Sequence, residues 1–354
     1  MRFLERIVNT PSPSGFEYPV LDLVEKELEG YTDKVIPDVT GNRIFVVNPS
    51  GAPKLMLAGH SDEVGFMVTY VNDKGFIYFR SIGGVDTEIL PARRVVIHTK
   101  GGPVHGVIGE LPIHLKKRDE QKKKREVSDF FIDIGLTKKK EAEKKVSVGD
   151  PITFDAQFVR LSNDIAIARA FDDRVAVFVL AEAIKLLKGK KFDPAVYLVG
   201  TVQEEIGSFG ARTSAFGIEP DCAIAMDVNH ATDYPGISKE KNGDISLGKG
   251  PVIAKGAAIN PVMYKLLVGV AGKKKIPFQS EGIPSWTGTD TDSIRIARSG
   301  VATALVSIPN RYMHTPVEAV SLSDLENSSR LVAEFILSLK KGTNFIPTGY
   351  GTED

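Results

Sequence analysis

Short apolar runs alternate with amphipathic stretches along most of the chain, and five of these runs end next to acidic or histidine residues. Each run has the length and apolar content of a buried strand. Residues 54–59 lead into His60 and Asp62, 164–169 into Asp172 and Asp173, 195–202 into Glu204 and Glu205, 222–226 into Asp227, and 301–307 into His314. Ligands bind at the carboxyl edge of an open α/β sheet. The pattern therefore predicts an α/β fold with a site at that edge.

Apolar residues at helical spacing predict helices over residues 3–8, 174–187 and 323–339. At the last of these, Ser323 and Glu326 have the spacing of a capping box, which would start the helix there.

The pattern changes between residues 68 and 158, where hairpin signals replace the alternation of strands and helices. Turn-forming residues at 72–75 and 100–103 each separate two strand-like segments. We therefore expect a β-domain over residues 68–158, inserted into an α/β domain made of residues 1–67 and 159–354.

Two runs within the insertion, residues 115–127 and 138–145, are rich in lysine. Such runs are typical of solvated loops. We expect residues 117–128 in particular to be mobile, because they offer almost no apolar surface to bury.

Composition narrows the function classes. The 354 residues include 45 Lys and Arg and 45 Asp and Glu, so no basic excess indicates nucleic-acid binding. The single cysteine, Cys222, excludes an internal disulfide and is expected to be a buried thiol. No apolar run reaches the roughly 18 residues of a membrane span, and the N-terminus lacks the pattern of a signal peptide. We expect a cytoplasmic protein without a membrane partner.

The residues that follow the five runs form a set of two imidazoles and at least three carboxylates. One zinc or cobalt ion would not use all the ligands of this set, which are His60, Asp172, Asp227, His314 and one of the pair Glu204 and Glu205. Two ions about 3.5–4 Å apart would use all of them if one carboxylate bridges. The remaining glutamate is then free to accept a proton from water acidified by both ions.

Asp62 lies two residues after His60, on the same side of an extended chain. Its carboxylate could hold the imidazole nitrogen that does not bind metal. Neighbouring Glu204 and Glu205 would point to opposite sides of an extended segment, but the residues alone do not decide which of them binds metal.

The motifs at residues 59–65, 171–174, 202–207, 226–231 and 311–318 resemble, in order and over essentially the whole chain, those of the TET family. These are tetrahedral aminopeptidases with two metal ions. The resemblance implies a phosphorylase/hydrolase-like, three-layer α/β catalytic domain with an inserted β-barrel dimerisation domain. It further implies dimers that assemble into a hollow homododecamer.

The resemblance also implies roles for individual residues. Asp172 resembles the bridging ligand, Glu205 and His314 the other ligands of one metal, and His60 and Asp227 those of the second. Glu204 resembles the general base, and Asp62 the acid that orients a ligand. The peptide bond between Asp172 and Asp173 resembles one that is cis in related enzymes.

One stretch differs from the family pattern. The run from Trp286 to Ser293 contains a tryptophan and an additional acid, Asp292, where the family commonly has small residues. The sequence therefore leaves two alternatives, a small substrate pocket and a pocket that pairs with a charged group. We expect Asp292 to cap a helix over residues 294–298.

We predict a metal-dependent aminopeptidase that removes N-terminal residues from short peptides by means of a hydroxide bridging two divalent ions, zinc or cobalt. An alternative is another dinuclear amidohydrolase on the same core, namely a carboxypeptidase, dipeptidase or deacylase. A non-catalytic peptide-binding assembly protein is a further alternative, disfavoured because every ligand position and Glu204 are filled.

Overall fold

A mixed sheet of eight strands forms the centre of the molecule in the computed structural model, which describes residues 1–115 and 125–347. In spatial order its strands are β1 (Lys34–Pro37), β2 (Arg43–Val47), β12 (Ala195–Thr201), β3 (Lys54–His60), β13 (Cys222–His230), β16 (Ala302–Asn310), β14 (Val252–Gly256) and β15 (Gln279–Ile283). The four strands β12, β3, β13 and β16 are parallel to one another. Their carboxyl ends therefore lie at one edge, as the apolar runs predict.

Helices cover both faces of this sheet, because its central strands are apolar on both sides. One face packs against α1 (Arg2–Asn9), α2 (Tyr18–Glu27), α4 (Phe171–Leu186), α7 (Pro261–Lys274) and α9 (Leu322–Ser338). The other packs against α5 (Phe209–Ile218) and α8 (Asp290–Ile294). A further short helix, α6, spans Lys239–Asn242.

Cys222 is buried in the apolar core on the α4 face of the sheet, as predicted. No helix among the described residues is long and apolar enough to cross a membrane.

One of the five apolar runs does not join the central sheet, which corrects the prediction. It forms β11 (Ile165–Ala168), which pairs with β10 (Val159–Arg160) and β17 (Glu318–Ser321) in a separate antiparallel sheet of three strands. Every second residue of β11 is only partly buried. That alternation is typical of an antiparallel strand with one wet face, not of a parallel strand covered on both faces.

A closed β-barrel with its own apolar core forms the second part of the molecule. Its strands, in chain order, are β4 (Gly65–Val71), β5 (Ile77–Ile82), β6 (Arg94–Thr99), β7 (Gly102–Gly109), β8 (Phe131–Asp133) and β9 (Pro151–Phe154). The hairpin between β4 and β5 turns where expected, because Oδ1 of Asn72 accepts hydrogen bonds from the amides of Lys74 and Phe76, both at 3.0 Å. The chain is thus an α/β fold with an inserted six-stranded barrel.

The two lysine-rich runs have different outcomes. Residues 116–124 lie outside the described part of the chain, so the prediction for 117–128 stays a prediction there. The run at 138–145 contains a short helix, α3 (Lys139–Ala142), and is not simply a solvated loop. Ala142 and the following Val146 are buried in the barrel core. Two apolar anchors among the lysines were enough to order this segment.

Two predicted helix caps are wrong. The last helix begins at Leu322, and the side chain of its cap residue, Ser321, makes no cap hydrogen bond; instead Oδ2 of Asp164 accepts from the amide of Ser323 at 2.8 Å. Asp292 lies inside α8, whose cap is Thr289. The Asp292 carboxylate turns back and accepts hydrogen bonds from the preceding loop.

Candidate metal centre

Six of the predicted site residues line one pocket of about 420 Å³ at the carboxyl edge of the parallel strands. They are His60, Asp172, Glu204, Glu205, Asp227 and His314. His60 ends β3 and Asp227 lies within β13, whereas Asp172 precedes the regular part of α4 and His314 follows β16 in a loop. Although β11 lies outside the central sheet, α4 packs against β3 and β13 and so brings Asp172 to the same edge.

Asp172 lies between the two histidines. Its Oδ1 is 3.0 Å from Nε2 of His60, and its Oδ2 is 3.2 Å from Nε2 of His314. Beyond these, Oε1 of Glu205 is 3.4 Å from Nε2 of His314, and Oδ1 of Asp227 is 4.0 Å from Nε2 of His60. One carboxylate therefore separates two groups that each contain an imidazole and a further carboxylate.

The backbone around Asp172 is held by neighbouring acids. The bond between Asp172 and Asp173 is cis, as the resemblance implies. Oε2 of Glu318 accepts the amide of Asp172, and its Oε1 accepts the amide of His314, both at 2.9 Å. Oδ2 of Asp173 accepts the amide of His60 at 3.2 Å. These contacts fix the two histidines relative to Asp172.

Asp62 supports both sides of the centre. Its Oδ1 lies 3.3 Å from Nδ1 of His60, where the sequence predicts it. The Asp62 carboxylate also accepts hydrogen bonds from the amides of Glu204 and Glu205, both at 3.1 Å, and from the hydroxyl of Ser14 at 2.7 Å. Asp62 thus lies against the His60 imidazole and holds the backbone of both glutamates.

Glu204 and Glu205 do not lie on an extended segment, which corrects another expectation. The strand β12 ends at Thr201, Gln203 has a left-handed backbone with φ 59°, and Glu205 begins a turn. The two side chains nevertheless have different neighbours. Oε1 of Glu204 accepts from the hydroxyl of Ser208 at 3.1 Å, whereas Glu205 faces His314.

The site has more buried carboxylates than cationic partners, and the pKa values reflect this. Burial is the main cause that raises the pKa of Glu204 to about 9, and it raises the pKa of Glu205 and, well above the ordinary range, that of Asp227. Asp172 differs, because hydrogen bonds from His314 and His60 outweigh burial and lower its pKa. The contacts of His314 with Asp172 and Glu205 raise the pKa of His314 to about 11 despite burial.

The residues present fit divalent metal ions. Ligand atoms of His60, Asp172 and Glu205 lie within 4.8 Å of one another, as do those of His60, Asp173 and Asp227. Oδ1 of Asp173 is buried, and nothing in the described ranges donates a hydrogen bond to it. Imidazole nitrogen and carboxylate oxygen are ligands of zinc and cobalt. Cations here would supply the positive charge that the buried carboxylates lack.

Sequence reasoning missed two supporting acids. Glu318 closes the motif at 311–318, but its role depends on joining the nearby amide of His314 to the distant amide of Asp172. Asp290 is buried, accepts the hydroxyl of Thr201 at 2.6 Å, and has a pKa raised to about 6, chiefly by burial. Glu318 belongs to the motif at 311–318 and Asp290 to the run from Trp286 to Ser293, but their burial beside the site is visible only in the structure.

The barrel contributes one wall of the centre through the loop after β5. A methyl group built on Gly84 would lie 3.6 Å from Nδ1 of His314, and one built on Gly83 would lie 3.3 Å from Cβ of Glu205. The Gly83–Gly84 backbone therefore packs closely against the side of the centre formed by these two residues.

The fold and this site are those of a metal-dependent exopeptidase, and comparison with known proteins identifies the family. The chain matches the M42 glutamyl aminopeptidase family over residues 41–331 and belongs to it. It is an aminopeptidase, a hydrolase of peptide bonds that uses divalent metal.

Individual relatives agree with this assignment. A lysyl aminopeptidase of Pyrococcus furiosus is 38% identical over 97% of this chain and 98% of that protein. The structure of a TET aminopeptidase from a marine sediment archaeon of the Thaumarchaeota is 38% identical, covers 96% of both chains and has a TM-score of 0.92. The TET1 peptidase of Pyrococcus horikoshii, which can assemble into a tetrahedron or a large octahedral shell, is 30% identical, covers 96% of this chain and 99% of that chain, and has a TM-score of 0.85.

Proposed function

We propose that the chain is a dinuclear aminopeptidase that removes N-terminal residues from short peptides. The observation that carries the proposal is the position of Asp172, whose two carboxylate oxygens face the two different histidines. A carboxylate in that position suits the bridge of a two-metal site.

Asp172 would bridge, His60 and Asp227 would complete one metal site, and Glu205 and His314 the other. Bound zinc or cobalt would supply a Lewis acid for the peptide carbonyl and a water of lowered pKa. Asp62 lies beside Nδ1 of His60 and would help to direct Nε2 at a bound metal, and it accepts hydrogen bonds from the amides of Glu204 and Glu205.

Glu204 is the proposed general base. Its side chain lines the pocket but takes no part in the close contacts between Asp172 and the histidines. Burial raises the pKa of this carboxyl to about 9, which would keep it protonated at neutral pH without metal. Cations bound nearby would lower that pKa, so that the carboxylate could take a proton from the attacking water at Oε and return it to the leaving amine.

For the domains, we propose that residues 1–67 and 159–354 form a phosphorylase/hydrolase-like catalytic domain, and residues 68–158 a dimerisation barrel. The barrel strands, which begin at Gly65 and end at Phe154, support these boundaries to within a few residues. The assembly of the TET1 relative into a tetrahedron or a large octahedral shell supports a homo-oligomer. Dimers that assemble into a dodecamer are the proposed form.

The test combines metal analysis with a pair of matched substrates. Protein loaded with zinc or cobalt should bind two ions per chain and hydrolyse aminoacyl p-nitroanilides and short peptides with a free N-terminus. The same peptides should resist cleavage when N-acetylated and remain substrates when amidated at the carboxyl end. Cleavage of the acetylated but not the amidated peptides would instead indicate a carboxypeptidase.

A further inference from the structure

Beyond the candidate ligands, the pocket lining includes apolar residues and one further carboxylate. Among them are Ile283, Pro284, Trp286, Leu305, Met313 and Glu281. The pocket lining contains no lysine or arginine within the described part of the chain. Arg295 places its guanidinium 5.3 Å from the centre of the Trp286 ring and is not part of the lining.

The strand register places Glu281 on the same face of the sheet as the metal centre. Asp227 pairs with Ser307, Ser307 with Val252, and Val252 with Gln279. Paired residues project from the same face, and so does the residue two positions further along a strand. Glu281, two residues after Gln279, therefore projects from the face that carries Asp227.

Asn229 ties this carboxylate to the strand that carries Asp227. Nδ2 of Asn229 donates a hydrogen bond to Oε2 of Glu281. Asn229 is two residues after Asp227, which is about 7 Å along a strand. Glu281 lines the same pocket as Asp227, so a long side chain of a substrate bound at the metal centre would share that pocket with the Glu281 carboxylate.

We infer that Glu281 selects substrates whose N-terminal side chain is basic, lysine or arginine. This inference rests on the proposed aminopeptidase function. Lysine and arginine carry a charge at the end of an apolar stem, and the pocket lining offers apolar contacts together with one further carboxylate. The carboxylates at the metal centre would be neutralised by the bound ions, whereas the side chain that hydrogen-bonds Glu281 within the described residues is the neutral amide of Asn229.

Burial of Glu281 gives this selection its energy. Burial raises the pKa of Glu281, and the Asn229 hydrogen bond offsets this only in part. A substrate ammonium or guanidinium would supply the missing positive charge, whereas a substrate carboxylate would be repelled.

The test compares lysyl, leucyl and glutamyl p-nitroanilides on the metal-loaded wild type, Glu281→Gln and Glu281→Lys. Wild type should favour lysyl over leucyl substrate, and Glu281→Gln should reduce that ratio roughly 10–100-fold, the value of a charged hydrogen bond. Its melting temperature should change little, and its lysyl activity should fall more than its leucyl activity. Glu281→Lys should favour glutamyl over lysyl substrate. Glu326→Gln, an exposed acid on α9, is the matched control.

Binding of free amino acids gives a readout independent of turnover. Calorimetry should show that L-lysine binds the metal-loaded wild type more tightly than L-norleucine does, and that Glu281→Gln removes the difference. An unchanged lysyl-to-leucyl ratio in Glu281→Gln, or a wild type that favours glutamyl substrate, would overturn the inference and leave the aminopeptidase proposal intact. If wild type cleaved none of the three substrates, both the inference and the aminopeptidase proposal would be overturned.

Discussion

The two sides of the Asp172 carboxylate are built in different ways. On one side, His60 and Asp227 belong to the neighbouring strands β3 and β13, and only 2% of the His60 side chain is exposed. On the other side, Glu205 lies in a turn and His314 in a loop, and 35% of the His314 side chain is exposed. His314 has a left-handed backbone with φ 60°.

This difference separates a side fixed by strand register from a side assembled by loops. A ligand on a sheet strand is placed by its neighbours before any metal arrives, which lowers the cost of ordering it. The loop side depends on Glu318 for His314, on Asp62 for Glu205, and on the barrel for its outer wall. We expect the strand side to bind metal more tightly than the loop side.

The largest effect should come from Asp172, which serves both sides. Asp172→Asn should weaken both metal sites, and activity should fall by more than the roughly 10²–10⁴-fold that loss of a general base costs. Metal content by mass spectrometry and kcat/KM measure this. Asp73→Asn, in the exposed hairpin turn, is the control. Retention of one ion at full occupancy would show that Asp172 does not bridge.

Changes to the two adjacent glutamates should separate catalysis from metal binding. Glu204→Gln should keep near-normal metal content and lose roughly 10²–10⁴-fold in kcat, with a smaller change in KM. Glu205→Gln should weaken the loop-side metal, because a neutral amide replaces an anionic ligand, and excess metal should restore part of the activity. Loss of metal from Glu204→Gln alone would reverse these roles.

Removing each histidine tests the comparison directly. His314→Ala should leave one ion tightly bound and weaken the second by more than the roughly 10–100-fold that loss of an outer-sphere partner costs. His60→Ala should instead release the tighter ion. Metal titration by calorimetry distinguishes them. If both variants lost the same ion with the same affinity, the distinction between a strand side and a loop side would be wrong.

The smallest effect concerns pH. Without metal, the contacts with Asp172 and Glu205 raise the pKa of His314 to about 11, so this imidazole holds a proton that metal must displace. Metal affinity should therefore fall by about tenfold per pH unit as pH decreases. Calorimetry in buffers with different ionisation enthalpies measures the proton released. Affinity independent of pH between 6 and 8 would contradict the protonated apo site.

The parts of the fold that the sequence predicts are those with strong apolar patterns. The strands β12, β3, β13 and β16 are apolar runs buried on both faces, and the sheet places them side by side. In contrast, β15 reads Gln-Ser-Glu-Gly-Ile, which carries no apolar signal, and its pairing with β14 defines it.

The site residues also divide into those that the sequence predicts and those that it does not. The candidate ligands could be found because each follows an apolar run, and the structure brings them together around Asp172. The positions of Glu318 and Glu281 could not be predicted, because each depends on a contact with a segment far away along the chain. Glu204 and Glu205 could be told apart only by resemblance, and their environments depend on the turn after Gln203.

The contact of Gly83 and Gly84 with Glu205 and His314 has a consequence for protein engineering. Excising the barrel would open the loop side of the centre to solvent, so a truncated chain would lose activity whatever its oligomeric state. The two glycines also leave little room for longer side chains. The inserted barrel therefore cannot be removed without changing the metal centre. Subunit association should be altered by point changes on the outer barrel surface, with the loop after β5 left intact.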